Sequence, residues 1–127
     1  HIRMNATTER RKSVMDEFYR EQLRPVLESL VIMWAKTMNE PLSSFEWSIL
    51  LMQNQWGSCK TEARKIQFNL LLARVPLRCI EYIVVHEMTH LKEHRHNKDF
   101  LQLLGNYLPD WQLRKKELDE FIALPLL

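Results

Sequence analysis

Four of the five histidines fall in one run, His86-Glu87-Met88-Thr89-His90-Leu91-Lys92-Glu93-His94-Arg95-His96. Imidazole nitrogens beside a carboxylate are the groups that hold a transition metal and move a proton near neutral pH. On an α-helix, residues four apart differ by about 40° in direction and about 6 Å in rise, so His86 and His90 project side by side and can share one ion. His94 would stand about 12 Å along the axis from His86 and cannot join both while the helix continues. His96 would point about 240° away from His90 on an unbroken helix; it reaches the same ion only if the helix stops and the chain turns back. Asn97 supplies that stop, because an N-cap residue there opens a new helical pattern and leaves His96 in the bend. Three histidines and one open position form the ligand set of a catalytic zinc. Glu87, about 100° around the helix from the first ligand, is placed to hold and deprotonate a water at the metal.

The same residues have plainer readings. A His-Glu-x-x-His string can occur by chance on a solvated helix, but here it follows an apolar segment and has a third histidine at workable spacing. His94 reads as solvent-facing or as support behind a ligand, with substrate contact as the alternative. Tyr82, one turn before His86, can donate to a developing oxyanion or simply fill the core. Cys59 and Cys79 read as small buried residues, since a thiolate ligand would add a fourth protein donor and close the site.

The elements that must position these groups follow from periodicity. Apolar residues from Met15 through Phe18, Leu23, Leu27, Leu30 and Trp34 to Met38 recur every three or four positions, a helix from about Thr8 with Thr7 or Thr8 as its N-cap. Pro25 predicts a kink or break near Gln22 to Arg24. Phe45, Trp47, Ile49 and Leu51 alternate as in a strand, and two more strands are expected at Gln55 to Cys59 and Lys65 to Leu70. Pro76 opens a helix whose apolar face is Leu77, Ile80, Val84, Met88 and Leu91, running to about Glu93. A further helix starts at Asn97 and stops at Pro109, and Asp110 is placed to cap a last one carrying Trp111, Leu118 and Phe121. The whole chain, 1–127, reads as one α+β domain, with residues 1–7 set aside as a disordered start or a tag remnant.

Composition narrows the function. Only Gly57 and Gly105 occur in 127 residues, so neither a Gly-x-Gly-x-x-Gly dinucleotide turn nor a P-loop can be written. The longest stretch without charge, Trp47 to Cys59, is shorter than the roughly 18 apolar residues a membrane helix needs. Two cysteines make no disulfide framework, which favours a reducing, cytoplasmic setting. A net charge of +2 does not by itself argue for nucleic acid. Arg10, Arg11, Lys12, Arg20 and Arg24 offer it a basic helix, diluted by Glu9, Asp16, Glu17 and Glu21.

Five blocks together carry a resemblance: Trp56-Gly57-Ser58-Cys59, Ile66-Gln67-Phe68-Asn69, Pro76, Ile83 to Leu91 around the His-Glu-x-x-His string, and His96-Asn97-Lys98-Asp99-Phe100. In order and spacing they resemble the YgjP-like metallopeptidase domain, a relative of the SprT-like and WLM zinc proteases. The resemblance implies a zincin-like α+β fold: a small antiparallel sheet packed on the active-site helix, with N- and C-terminal helices. It implies His86, His90 and His96 as ligands of one Zn2+, or of another divalent transition metal, Glu87 as the catalytic carboxylate, and a protein or peptide as substrate. Trp56 and Asn69, from the first two blocks, are then expected beside the metal or the substrate. The chain departs from the family's pattern at Asn54-Gln55, where Thr-Arg is usual, and at Asn97 and Leu101; an N-terminal β-rich portion common in the family precedes none of these blocks. Glu93 stands where a metzincin motif has glycine. The competing expectation is a non-catalytic module whose metal pins two helices together and which binds protein or nucleic acid. A fourth protein ligand, such as Cys59, would mark it.

Overall fold

The computed structural model describes residues 2–122. Helix α1 spans Ile2–Met38, strands β1 Glu46–Leu50, β2 Gly57–Lys60 and β3 Lys65–Asn69 follow, and helices α2 Leu77–Thr89, α3 Lys98–Tyr107 and α4 Trp111–Ile122 complete the chain. Short 3-10 turns at Leu42–Ser44 and Leu70–Arg74 flank the sheet.

Helix α1 begins at Ile2, ahead of the expected Thr7 or Thr8 cap, and continues through Pro25 without the expected break. Pro25 removes one amide donor, but Glu21, whose carbonyl loses its partner, and Pro25 itself are both exposed, so water can replace the missing bond. The buried Leu23, Leu27, Leu30 and Val31 hold the helix on either side of the proline against the core. Two of its cations are already engaged: Arg20 Nη1 donates to the Ile49 carbonyl at 2.8 Å, and the Arg24 guanidinium lies 5.9 Å over the Trp47 ring.

The sheet has the order β1-β3-β2. The resemblance implied antiparallel pairing throughout; instead β2 pairs antiparallel with β3 while β1 pairs with it in parallel, Glu46 beside Lys65 through Leu50 beside Asn69. The cause is the loop 51–56, which carries the chain past the end of β3 so that β2 returns on its far side. Asn69 pins that crossing: its Nδ2 donates to the carbonyls of Met52 (3.0 Å) and Gln55 (2.8 Å), while its Oδ1 accepts from the amides of Met52 (3.3 Å) and Leu71 (3.0 Å). Arg64 closes the β2–β3 turn with φ of 54°. Its guanidinium bonds the Ser44 carbonyl at 2.7 Å and the buried Glu40 carboxylate at 2.7 Å.

Helix α2 is the centre of the molecule. Nine of its residues, Cys79 through Thr89, are buried, as expected of an apolar face widened by Ile83 and Val85. It ends at Thr89 rather than near Glu93, with His90 as its C-cap and the amides of Lys92 and Glu93 both donating to the Thr89 carbonyl. Helix α4 runs antiparallel along α2. Arg114 reaches the Glu81 carboxylate at 2.7 Å, and Arg78 pairs with Glu117 one turn away. The Asp110 carboxylate accepts from Arg114 Nε at 2.9 Å, so it pairs with a side chain of the helix it was expected to cap.

Candidate metal centre

The C-terminal end of α2 brings the expected groups together. One ligating atom each from His86, Glu87 and His90 lies within 4.8 Å of the other two; the two histidines meet through i, i+4 spacing, and Glu87 joins them through its Oε2 contact with His86 Nδ1. His96 arrives from the bend before α3. Its ring centroid is 5.4 Å from that of His86 and 6.0 Å from that of His90. The turn is made without glycine: Asn97 caps α3, its side chain accepting from the Phe100 amide at 3.0 Å, and the chain reverses between Glu93 and Asn97.

The unpaired faces of the rings suit a cation. His90 Nδ1 lies 3.2 Å from the Glu93 carbonyl. A carbonyl can only accept, so Nδ1 carries the proton and the Nε2 lone pair is left for a metal. Burial holds the His90 pKa below the usual imidazole value, which keeps the ring in its neutral, ligating form. His86 Nδ1 is 2.8 Å from Glu87 Oε2, so its Nε2 is also the nitrogen left over. Glu87 is buried, 5% exposed, yet its carboxylate has this one partner and faces the histidines. A buried carboxylate grouped with two imidazoles, a third imidazole ring close by, is a donor set that fits a divalent transition metal.

Two aromatic residues frame the centre. Phe100, with no exposed surface, stacks on His90 at 4.2 Å and packs against His96 at 4.6 Å and His86 at 5.1 Å. Tyr82 is buried, its ring edge-on to His86 at 5.7 Å and stacked on Trp111 at 6.4 Å. The Tyr82 ring thus packs directly against a histidine of the group. The sequence places Phe100 in the block that begins at His96 and Trp111 on the last helix, and neither is named among the expected site residues. The available signal for Phe100 was its place four residues after His96, one turn into a newly capped helix.

The other expected residues separate from the centre. His94 is exposed in the bend. Asn69 is buried and its amide bonds the loop 51–56. Trp56 is half-buried, next in the chain to Gly57. Cys59 lies outside the His86, Glu87, His90 group found among the described residues. Burial, reinforced by the Glu87 charge, pushes its thiol up to about 11.

Gly57 connects sheet and site. A Cβ added there would meet Glu87 Cγ at 3.0 Å, Ile83 Cγ2 at 3.1 Å and the Gln67 carbonyl at 3.3 Å. The strand thus passes α2 at the Glu87 side chain itself, an approach that the missing Cβ of glycine permits.

No described helix is long and apolar enough to cross a membrane. No curated protein matches the chain. Among solved structures it is similar in fold to the metallopeptidase zymogen abylysin of Pyrococcus abyssi, with 13% identity, TM-score 0.69 and coverage of 80% of this chain and 99% of that one. It is also similar to the metallopeptidase zymogen jannalysin of Methanocaldococcus jannaschii, with 18% identity, TM-score 0.66 and coverage of 76% and 97%. The model of the YgjP-like metallopeptidase domain matches residues 1–121. With the resemblance of the five sequence blocks and the His-Glu-His group at the end of α2, this match shows that the chain belongs to the YgjP-like metallopeptidase domain family and is a metal-dependent peptidase.

Proposed function

We propose that His86, His90 and His96 hold a single zinc ion and that Glu87 is the general base and acid of peptide hydrolysis. The observation that supports this reading is the grouping of His86, Glu87 and His90 at the end of α2, with the His96 ring 5.4 Å from that of His86 and 6.0 Å from that of His90. Bound there, zinc supplies Lewis acidity toward the scissile carbonyl and lowers the pKa of water in the site. Glu87 takes a proton on its carboxylate from the attacking water and returns it to the departing amine. His86 Nδ1 positions that carboxylate from 2.8 Å. Imidazole ligands also accept cobalt, nickel or iron, so the resident ion depends on supply.

The substrate, an extended protein or peptide segment, lies along β2, the sheet edge next to α2. The Trp56 carbonyl accepts from the Asn69 amide at 2.9 Å. In an antiparallel ladder the bonded pairs alternate, so Ser58 also faces β3 while Gly57 and Cys59 direct their backbone groups to the free edge. Main-chain pairing there demands little of the substrate's sequence. Cys59 and Cys79 are free thiols, and we place the domain in a reducing compartment such as the cytoplasm. Binding of nucleic acid has less support, since Arg20 and Arg24 are committed within the fold.

The test is metal analysis with a paired mutation. Zinc-loaded protein should hold about one equivalent and cut an unstructured polypeptide. Glu87→Gln should retain the metal and lose roughly 100-fold or more in turnover; His86→Ala should lose both. Full activity in metal-free protein, or in Glu87→Gln, would refute the assignment.

A further inference from the structure

Two residues outside the metal centre hold the chain on which that centre depends: we propose that Arg64 and Glu40 are positioning residues, which fix the stretch after α2 in the form that presents His90 and His96 to one ion. The proposal rests on the metal-centre reading above. Its starting point is the backbone. Among the described residues, the non-glycine positions with positive φ are Asn39, at 60°, and Arg64, at 54°. Asparagine tolerates this region, and Asn39 turns the chain out of α1 so that the Glu40 amide donates to the Ala35 carbonyl at 2.8 Å. Arginine has no such tolerance, whereas glycine would take the Arg64 conformation without a steric cost. The turn itself is therefore better served by glycine, and what arginine adds there is its guanidinium. Strain of this kind persists where the surrounding structure maintains it, often beside a functional site.

The guanidinium joins three segments. Its Nε donates to the Ser44 carbonyl at 2.7 Å, its Nη2 to Glu40 Oε1 at 2.7 Å, and its Nη1 lies 3.5 Å from the Leu91 carbonyl, one residue past His90. Glu40, only 9% exposed, turns its other oxygen to Lys92, whose Nζ is 3.6 Å from Oε2. Leu91 and Lys92 are thus tied both to the β2–β3 turn and to the end of α1.

The tie reaches the ligands through the next residue. The amides of Lys92 and Glu93 donate to the Thr89 carbonyl at 3.0 and 2.9 Å, and the Glu93 carbonyl accepts from His90 Nδ1 at 3.2 Å. That last bond sets which nitrogen of His90 is left for a metal. From Glu93 the chain bends through His96 to the Asn97 cap of α3. Anchors at 91 and 92 therefore limit where the Glu93 carbonyl and the start of the bend can move, so the ligands are arranged in advance and metal binding has little chain to order.

The experiment compares zinc affinity, by chelator competition, with thermal unfolding of the metal-free protein. Arg64→Gly combined with Glu40→Gln cuts the network without leaving a buried charge unpaired and gives the turn the residue its backbone suits. Its metal-free Tm should stay within about 5 °C of wild type, while zinc affinity falls about 10–100-fold and the visible absorption of the cobalt-substituted protein changes, as a loosened ligand geometry requires. In the metal-free double variant the amides of Lys92 and Glu93 should exchange about tenfold faster, with those of Ile83 to Val85 unchanged. Lys92→Met, which leaves Arg64 paired with Glu40, should weaken zinc by a smaller factor, about threefold. Wild-type zinc affinity and an unaltered cobalt spectrum in the folded double variant would overturn the positioning role; should that variant fail to fold, the same result in Lys92→Met would overturn it. A wild-type protein that holds no zinc would instead overturn the metal-centre reading, and the positioning role with it.

Discussion

Replacing Gly57 with alanine tests how closely the sheet and the catalytic helix are fitted. The added Cβ would lie 3.0 Å from Glu87 Cγ, 3.1 Å from Ile83 Cγ2 and 3.3 Å from the Gln67 carbonyl. Relief requires movements of a few tenths of an ångström from each. None is a free end: Glu87 and Ile83 are 5% and 6% exposed on a buried helix, and the carbonyl belongs to the central strand. Overpacking of this kind costs about 1–3 kcal/mol. Alanine in a strand recovers about 0.5–1 kcal/mol of the backbone entropy that glycine sacrifices, which leaves a net loss of about 1 kcal/mol and a fall in Tm of roughly 3–6 °C for a domain of this size. Turnover should suffer more than stability, because the atom pushed first is Cγ of Glu87, the general base we propose, and displacements approaching 1 Å near reacting groups cost about 100-fold. Gly57→Ala should thus keep its metal, with the histidines untouched, while kcat/KM drops by roughly tenfold or more; Gly57→Val should be worse on both counts. Thermal unfolding, metal stoichiometry and steady-state kinetics on one preparation separate these effects. An alanine variant with wild-type or raised Tm and unchanged kcat/KM would refute the close-approach argument.

Other consequences are read more simply. Phe100→Leu removes the flat surface shared by His86, His90 and His96 while keeping an apolar core residue; zinc affinity measured by chelator competition should weaken about 10–100-fold, with far-ultraviolet dichroism unchanged. The thiols of Cys59 and Cys79, both pushed up to about 11 chiefly by burial, stay neutral at pH 8, and their alkylation in the folded protein should be about 100-fold slower than in the unfolded chain and should accelerate as pH rises toward 11. Rapid labelling at pH 8 would contradict that burial. Asn69→Ala strips three hydrogen bonds from the 51–56 crossing and one from the Leu71 amide, and leaves buried backbone groups of Met52 unpaired; a loss of about 2–4 kcal/mol in denaturant unfolding is expected.

The ligating spacing of His86 and His90, the neighbouring Glu87, the need for a turn before His96 and the succession of helix, small sheet and three helices were all legible in the residues. These are local facts: helical periodicity, strand alternation, capping and proline placement act over a few positions and need no knowledge of the rest of the chain. Pro25 was misread because its cost depends on whether the orphaned carbonyl meets water or protein, and the exposure of Glu21 is a property of the packed helix. The parallel pairing of β1 was hidden for a similar reason. It is decided by where the 51–56 loop crosses, and that crossing hangs on Asn69, a residue whose type suggested a site role and whose bonds span 14 and 17 positions.

By itself, then, the sequence determined which groups can do the chemistry and, through helical geometry, which two of them must meet. Tertiary structure alone decided what those groups rest on: Phe100 behind the histidines, Tyr82 and Trp111 beside His86, and Gly57 against Glu87. Such contacts join segments tens of residues apart, and their distances are set by the shared packing of the core, which no short-range pattern encodes.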